Sequence, residues 1–436
     1  MTSYFFKQFY SQFLIINLFV CIFTAQETLN IYFSICKRLL LVLYSHFQYN
    51  FNEPDHIQVE IFSIEIKERK KIMKHHKKNI LLELLFILIA IGGIGYIALF
   101  INNQKNSTYE SLPKTDQVIL SELNALASSE AKTTMWKDYK ISDKPVLALN
   151  GRFGKAYLIN PYRNIKSVFA KEISLPENYT IKVYRISPLA PSLLQFITAG
   201  NFNTAKKNYS VYKNNVYFTK YDDSSIMLKH NSSHYSAFLT HESFHYYMQD
   251  NWSHSGRFDT SELTGENLSL LGEEYKILQK IYDTLDIASE AGTISEKITL
   301  QKLAKEYVDV TNRRFQAAPS YMKEESQAET EEGTATYVGM KAAKITGYDF
   351  RIMHFIDKEN DRNFVVLPFD SIVPAIQSGT GDASIISTNM VYQSGALLCQ
   401  LLDALEISDW QECLNNQTTE KPVTLYDLLS KYVDTL

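Results

Sequence analysis

The residues best suited to chemistry are His241, Glu242 and His245, in the segment SAFLTHESFHYYMQD over 236–250. On a helix, side chains four apart share one face and stand about 6 Å apart along the axis. Two imidazole nitrogens so placed can close on one Zn²⁺ at roughly 2.0–2.1 Å. Glu242 follows the first histidine and can reach the position beside such a metal, where a water would sit. A carboxylate there can take the water's proton while the metal lowers the water's pKa toward about 7. The same spacing would also arise on an ordinary core or surface helix. The aromatic and leucine neighbours fit a buried active-site helix that follows an edge strand.

Two histidines do not complete a zinc site. A metzincin continuation would put Gly and His at the third and sixth positions after the second histidine, where this chain has Met248 and Asn251. His254 lies nine residues on, past the expected end of the helix. Further along, ESQAETEEGTATYVG (325–339) falls on an expected helix over 320–344. Its EGTATY portion, Glu332 to Tyr337, resembles the E-G-x-A-x-Y segment of gluzincin-type metallopeptidases of the peptidase MA-like clan, whose Glu is the third zinc ligand. The resemblance implies Glu332 as that ligand. Glu329, one turn earlier on the same face, is either the alternative ligand or a partner that orients a histidine. A solvated acidic face would give the same composition.

VYQSGALLCQLLDAL (391–405) resembles the gluzincin segment Y-x-x-G-A with its amphipathic helix. That likeness implies Tyr392 as the hydroxyl that stabilises a tetrahedral oxyanion and Gly395 as a close-packing position. With 28 tyrosines in the chain, a tyrosine that only packs is the competing account. The resemblance covers roughly 210–410. It departs from the family in an insert of about 86 residues between His245 and Glu332, and no G-x-M-E-N segment supports recognition of a free N-terminus. Together the motifs imply a zinc metallopeptidase acting on peptide or protein substrates. Glu242 would be the general base, and SSIMLKH (224–230) the edge strand that pairs with substrate. A zinc hydrolase of some other substrate, or a non-enzymatic surface protein on the same fold, are the alternatives. The presence of Glu242 argues for an enzyme.

The elements that must position these residues follow an α+β order, a mixed sheet and then a mostly helical zincin region. A stalk and linker helix (102–144, helical near 116–128) precede short β-branched and aromatic runs over 145–232: VLALNG, KAYLIN, SVFAKEISL, TIKVYRI, VYFTKY and SIMLKH. They predict about five strands. Helices are expected over about 235–250, 266–284, 296–316, 320–344, 388–405 and 424–434, within a zinc-binding part at 233–436.

Residues Ile80 to Ile101 form an apolar run with one charge, Glu83, long enough at 1.5 Å per residue to span a core of roughly 30 Å. KERKKIMKHHKK (67–78) precedes it and the nearly neutral NNQKNST follows. This predicts one N-terminal transmembrane helix with everything beyond it extracytoplasmic. No clear A-x-A site follows, which favours a retained anchor over a cleaved signal. Residues 1–79 read as a cytoplasmic or leader segment. Met73 is a plausible true start, and a marginal extra span near Phe9–Ala25 is the alternative. The net charge of −4 gives no bulk attraction to nucleic acid. The bias toward Tyr, Lys, Asn and Ile resembles that of proteins from low-GC bacteria. Cys21, Cys36, Cys399 and Cys413 contain no C-x-x-C pair. Buried unpaired thiols at 399 and 413 are expected in preference to a bridge. Oligomeric state is not legible.

Overall fold

The computed structural model describes residue 80 and residues 82–98, 108–151, 155–204, 207–227, 232–254, 256–287, 294–356 and 364–436. The chain divides into two units, Met1–Gly92 and Gly93–Leu436, and the elements labelled below belong to the second. The architecture is α+β. Six strands make a mixed sheet: β1 (Val146–Asn150), β2 (Ala156–Ile159), β3 (Ala170–Glu172), β4 (Val183–Ile186), β5 (Tyr209–Val211) and β6 (Asn214–Tyr221). Their spatial order is β3-β4-β2-β1-β6-β5, and only β1 and β6 run parallel.

Both faces of this sheet are covered, which is why runs such as VLALN are continuously apolar instead of alternating. Val146, Ala148, Tyr157, Ile159, Val183 and Tyr217 face the helical core. Leu147, Leu158, Ile186 and Phe218 face the other way, under Leu193 and Phe196 from the β4–β5 crossing.

Two short helices, α1 (Lys114–Ala125) and α2 (Ser129–Thr134), precede the sheet. After it come α3 (Tyr235–Met248), α4 (Gly265–Ile287), α5 (Ile294–Ala317) and α6 (Pro319–Ile345). A hairpin of β7 (His354–Ile356) and β8 (Phe364–Val366) leads to α7 (Phe369–Gln377). The last helices are α8 (Val391–Ala404), α9 (Trp410–Asn415) and α10 (Leu425–Val433). The stretch between His245 and Glu332 carries α4 and α5, as expected, and one buried cation fastens it to α6. Arg314 of α5 bonds Glu274 of α4 at 2.9 Å and grips Glu325 of α6 with two bonds of 2.7 and 2.9 Å. Removing one partner from such a buried group costs roughly 3–5 kcal/mol.

Several expectations are corrected. The sheet has six strands, because Tyr209–Val211 adds an edge. SSIMLKH is not an edge strand: Asp223–Ile226 is a 3₁₀ turn, and 228–230 lie outside the described residues. The cause is local. Asp222 accepts the Ser224 amide at 2.9 Å and Ser225 Oγ accepts the Asp222 amide at 3.1 Å, a capping box that turns the chain. Cys399 and Cys413 are unpaired as expected, but only Cys399 is buried.

Within the expected anchor, residues 80 and 82–98 are described, helical with exposed side chains, while 81 and 99–101 lie outside the described residues. Among the described residues no helix is long and apolar enough to cross a membrane. Residues 1–79, with Cys21, Cys36 and the alternative start at Met73, lie outside the described residues, as does 102–107 of the stalk.

Candidate metal centre

Helix α3 carries the HESFH segment with Tyr235, Ala237, Leu239 and Phe244 buried and its two histidines on the half-buried side. Its interior hydroxyls are satisfied locally, Thr240 Oγ1 donating to Ser236 O at 2.8 Å and Ser243 Oγ to Leu239 O at 2.5 Å. Helix α6 starts at Pro319, whose missing N–H costs nothing at a first helical position. It brings Glu332 onto the two histidines. His241 Nε2 and His245 Nε2 lie 3.1 Å apart, and Glu332 Oε2 lies 3.4 and 3.3 Å from them.

Three atoms so placed have the dimensions of one face of a coordination tetrahedron. Bonds of roughly 2.0–2.1 Å at tetrahedral angles separate neighbouring ligand atoms by about 3.3 Å. Glu332 Oε2 is buried, makes no well-aligned hydrogen bond and faces the two imidazole nitrogens, a position in which a cation would satisfy it. The donor set of two imidazoles and a carboxylate is one that Zn²⁺ takes. Among the described residues this trio is the one cluster of three or more His, Cys, Asp or Glu whose ligand atoms could share an ion.

The tautomer of His245 is fixed from behind. Gln249, fully buried at the end of α3, donates its amide to Glu331 O at 2.9 Å and to Thr334 Oγ1 at 2.8 Å. Both donors are thereby used, so its Oε1 accepts from His245 Nδ1 and leaves Nε2 facing the cluster. With no cation in the cluster, burial would lower the His245 pKa, but the Glu332 carboxylate outweighs it and raises the ring to about 9. A metal must therefore displace a proton from Nε2 to bind there. Burial pushes Glu332 upward, and the two histidines overcome this and hold it well below the usual carboxylate range.

Glu242 lines a cleft of about 810 Å³ together with His245, Glu332, Phe202, Asn208 and Trp252. Burial raises its carboxyl, the two histidines pull it back down, and Glu332 adds to the rise. A π-helical turn, Ile386–Met390, runs into α8 and presents Tyr392. The Tyr392 ring stacks beside His241, centroids 5.9 Å apart and planes 12° from parallel. Burial, then the Glu332 carboxylate, raise its hydroxyl above the ordinary range, so it remains a proton donor.

The structure therefore brings together His241, Glu242, His245, Glu332 and Tyr392. His254 lines the same cleft but is not one of the three converging ligands, its Nδ1 pairing with Glu331 at 2.5 Å. Glu329 is turned away from the trio, toward Ser394 and the Arg314 group. Burial first, then Glu274, raise its pKa to about 8. Gln249 has no motif of its own in the sequence and was not anticipated. Compared with models of known families, with curated proteins and with solved structures, the chain matches none.

Proposed function

We propose that this chain is a membrane-anchored, extracytoplasmic zinc metallopeptidase, with His241, His245 and Glu332 as the ligands. The observation that carries the reading is the triangle formed by His241 Nε2, His245 Nε2 and Glu332 Oε2, 3.1, 3.3 and 3.4 Å on its edges. Bound there, Zn²⁺ would supply a water of lowered pKa and a Lewis acid for a substrate carbonyl.

The remaining chemistry belongs to the chain. Glu242, with its carboxyl raised by burial, takes the proton of the attacking water and hands it to the departing amine nitrogen. Tyr392 donates its hydroxyl to the carbonyl oxygen as negative charge develops. Gln249 keeps His245 in one tautomer throughout. The cleft of about 810 Å³ leaves room for a stretch of extended peptide. The anchor rests on the apolar run 80–101 behind the basic run 67–78.

The test uses the full chain in detergent. Elemental analysis is expected to find about one zinc per chain. A broad peptide library should be cleaved, cleavage should stop on chelation, and added zinc should restore it. Zinc retained with every peptide intact would overturn the peptidase reading.

A further inference from the structure

The mechanism makes no use of the face of the sheet that lies away from α3. That face is roofed by the β4–β5 crossing, ISPLAPSLLQFITAG over 186–200. Leu193 and Phe196 point inward and are buried at 6% and 2% exposure. Leu189, Leu194 and Ile197 on the same crossing point outward and are 60%, 63% and 75% exposed. Val168 joins them at 43%, its neighbour Phe169 being tied to the crossing by the bond Ser187 N to Phe169 O at 2.8 Å. The crossing is internally braced: Ala190 N bonds Ser187 O at 2.9 Å, Leu193 N bonds Ala190 O at 2.9 Å, and Ile197 N bonds Leu194 O at 3.2 Å. Large apolar side chains held outward in one group mark an interaction surface.

Charge selects the partner. From Pro145 to Tyr221 the chain has eleven Lys and Arg against two acidic residues, Glu172 and Glu177. From Asp222 to Leu436 it has 17 basic residues against 33 acidic ones. The net charge of −4 conceals a basic sheet region joined to an acidic helical region. Arg163, Lys166 and Lys207 are exposed in the segments that flank the apolar crossing. Apolar side chains within a basic field are what an anionic lipid surface takes up, by shallow insertion and attraction to headgroups.

Reach agrees. Thr108 pairs with Ser174 just past β3, and the segment 102–107 between it and the expected anchor can extend no more than about 25 Å.

We propose that Leu189, Leu194 and Ile197, with their basic surround, dock this face on the anionic lipid surface of the membrane. The metal cluster lies on the other side of the sheet, where β6 Tyr217 packs its ring on Tyr246 of α3 at 5.4 Å. The reach argument rests on the anchor reading; the apolar and charge arguments do not, and none rests on zinc.

The experiment places the full chain in lipid nanodiscs with brominated acyl chains, either neutral or rich in anionic lipid. Leu194→Trp supplies the reporter, with the parent chain as background. Quenching of the added fluorescence is expected in anionic discs and should fall at least tenfold in neutral discs or at high salt. The triple variant Leu189→Ser, Leu194→Ser, Ile197→Ser should keep its melting temperature and zinc content. In a chain retained by discs it should free the sheet region for faster hydrogen exchange.

Retention in discs without quenching overturns the docking while the anchor stands. If the chain is not retained, the anchor fails; docking then requires binding to added anionic vesicles, weakened at least tenfold by the triple variant, and no such binding overturns it. Vesicle binding indifferent to the triple variant, or burial of the patch against a second copy in lipid-free solution, also overturns it.

Discussion

Gly333 of α6 and Gly395 of α8 touch backbone to backbone: a Cβ built on Gly333 would lie 2.4 Å from Gly395 Cα, and one built on Gly395 would lie 2.1 Å from Glu329 O. No side chain can yield at such a contact, so the two helices cross as closely as their backbones allow. The crossing sets the separation of Glu332 from Tyr392, one residue before and three residues before their respective glycines. The E-G and Y-x-x-G patterns are thus two halves of one packing device.

Gly395→Ala should therefore force α6 and α8 apart. Overpacking of this kind costs about 1–3 kcal/mol or more. The variant is expected to melt several degrees lower and to hold zinc more weakly than wild type, read by calorimetry and by competition with a chromophoric chelator. A variant that melts and binds zinc like wild type would show that the contact does not position the site.

Removing the third ligand should empty the site. Glu332→Ala is expected to lose most of its zinc, whereas Glu329→Gln keeps it, because Glu329 faces Ser394 and the buried Arg314 group. Elemental analysis of the two variants beside wild type decides the assignment. An empty Glu329→Gln would transfer the ligand role to residue 329.

Gln249→Ala should leave all three ligands in place and still weaken the metal. Losing the group that fixes a ligand's tautomer typically costs roughly 10- to 100-fold in affinity. Zinc competition titrations would read this, and an unchanged dissociation constant would contradict the role given to Gln249.

The pH dependence of stability carries a signature of Glu329. Its carboxyl is raised from 4.5 to about 8 by burial, then by Glu274. The folded chain therefore holds a proton there that the unfolded chain has released. Stability contributed by this group is fully present below the unfolded value and is lost as pH rises toward about 8. Glu329→Gln removes the loss, so its melting temperature should exceed that of wild type by a margin that widens between about pH 5 and pH 9. Parallel melting curves across that range would contradict the assignment.

What the sequence made legible follows from how local each signal was. His241, Glu242 and His245 declare themselves within one helical turn, and the spacing alone puts both imidazoles on one face. Glu332 required a second motif far along the chain, and the two glycines explain why that motif is recognisable. Gln249 was invisible because its partners, Glu331 O and Thr334 Oγ1, belong to a helix that is distant in sequence. The short β-branched and aromatic runs located five of the six strands, and the burial of both sheet faces came only with the structure. The short edge β5 and the β7–β8 hairpin gave too few residues for a period to show. SSIMLKH misled because its apolar content outweighed the turn signal of Asp222 beside it and Ser225 within it.

The most direct measurement of the central claim is peptide cleavage by wild type and Glu242→Gln at matched zinc content and matched melting temperature. Glu242 touches the cleft and is not one of the three converging ligand atoms, so its replacement should spare the metal and remove the proton acceptor. The account predicts that wild type cleaves peptides and that Glu242→Gln, with its zinc intact, loses nearly all cleavage. Tyr392→Phe should lose a smaller share, roughly a hundred-fold. A zinc-loaded Glu242→Gln that cleaves as fast as wild type would contradict the account.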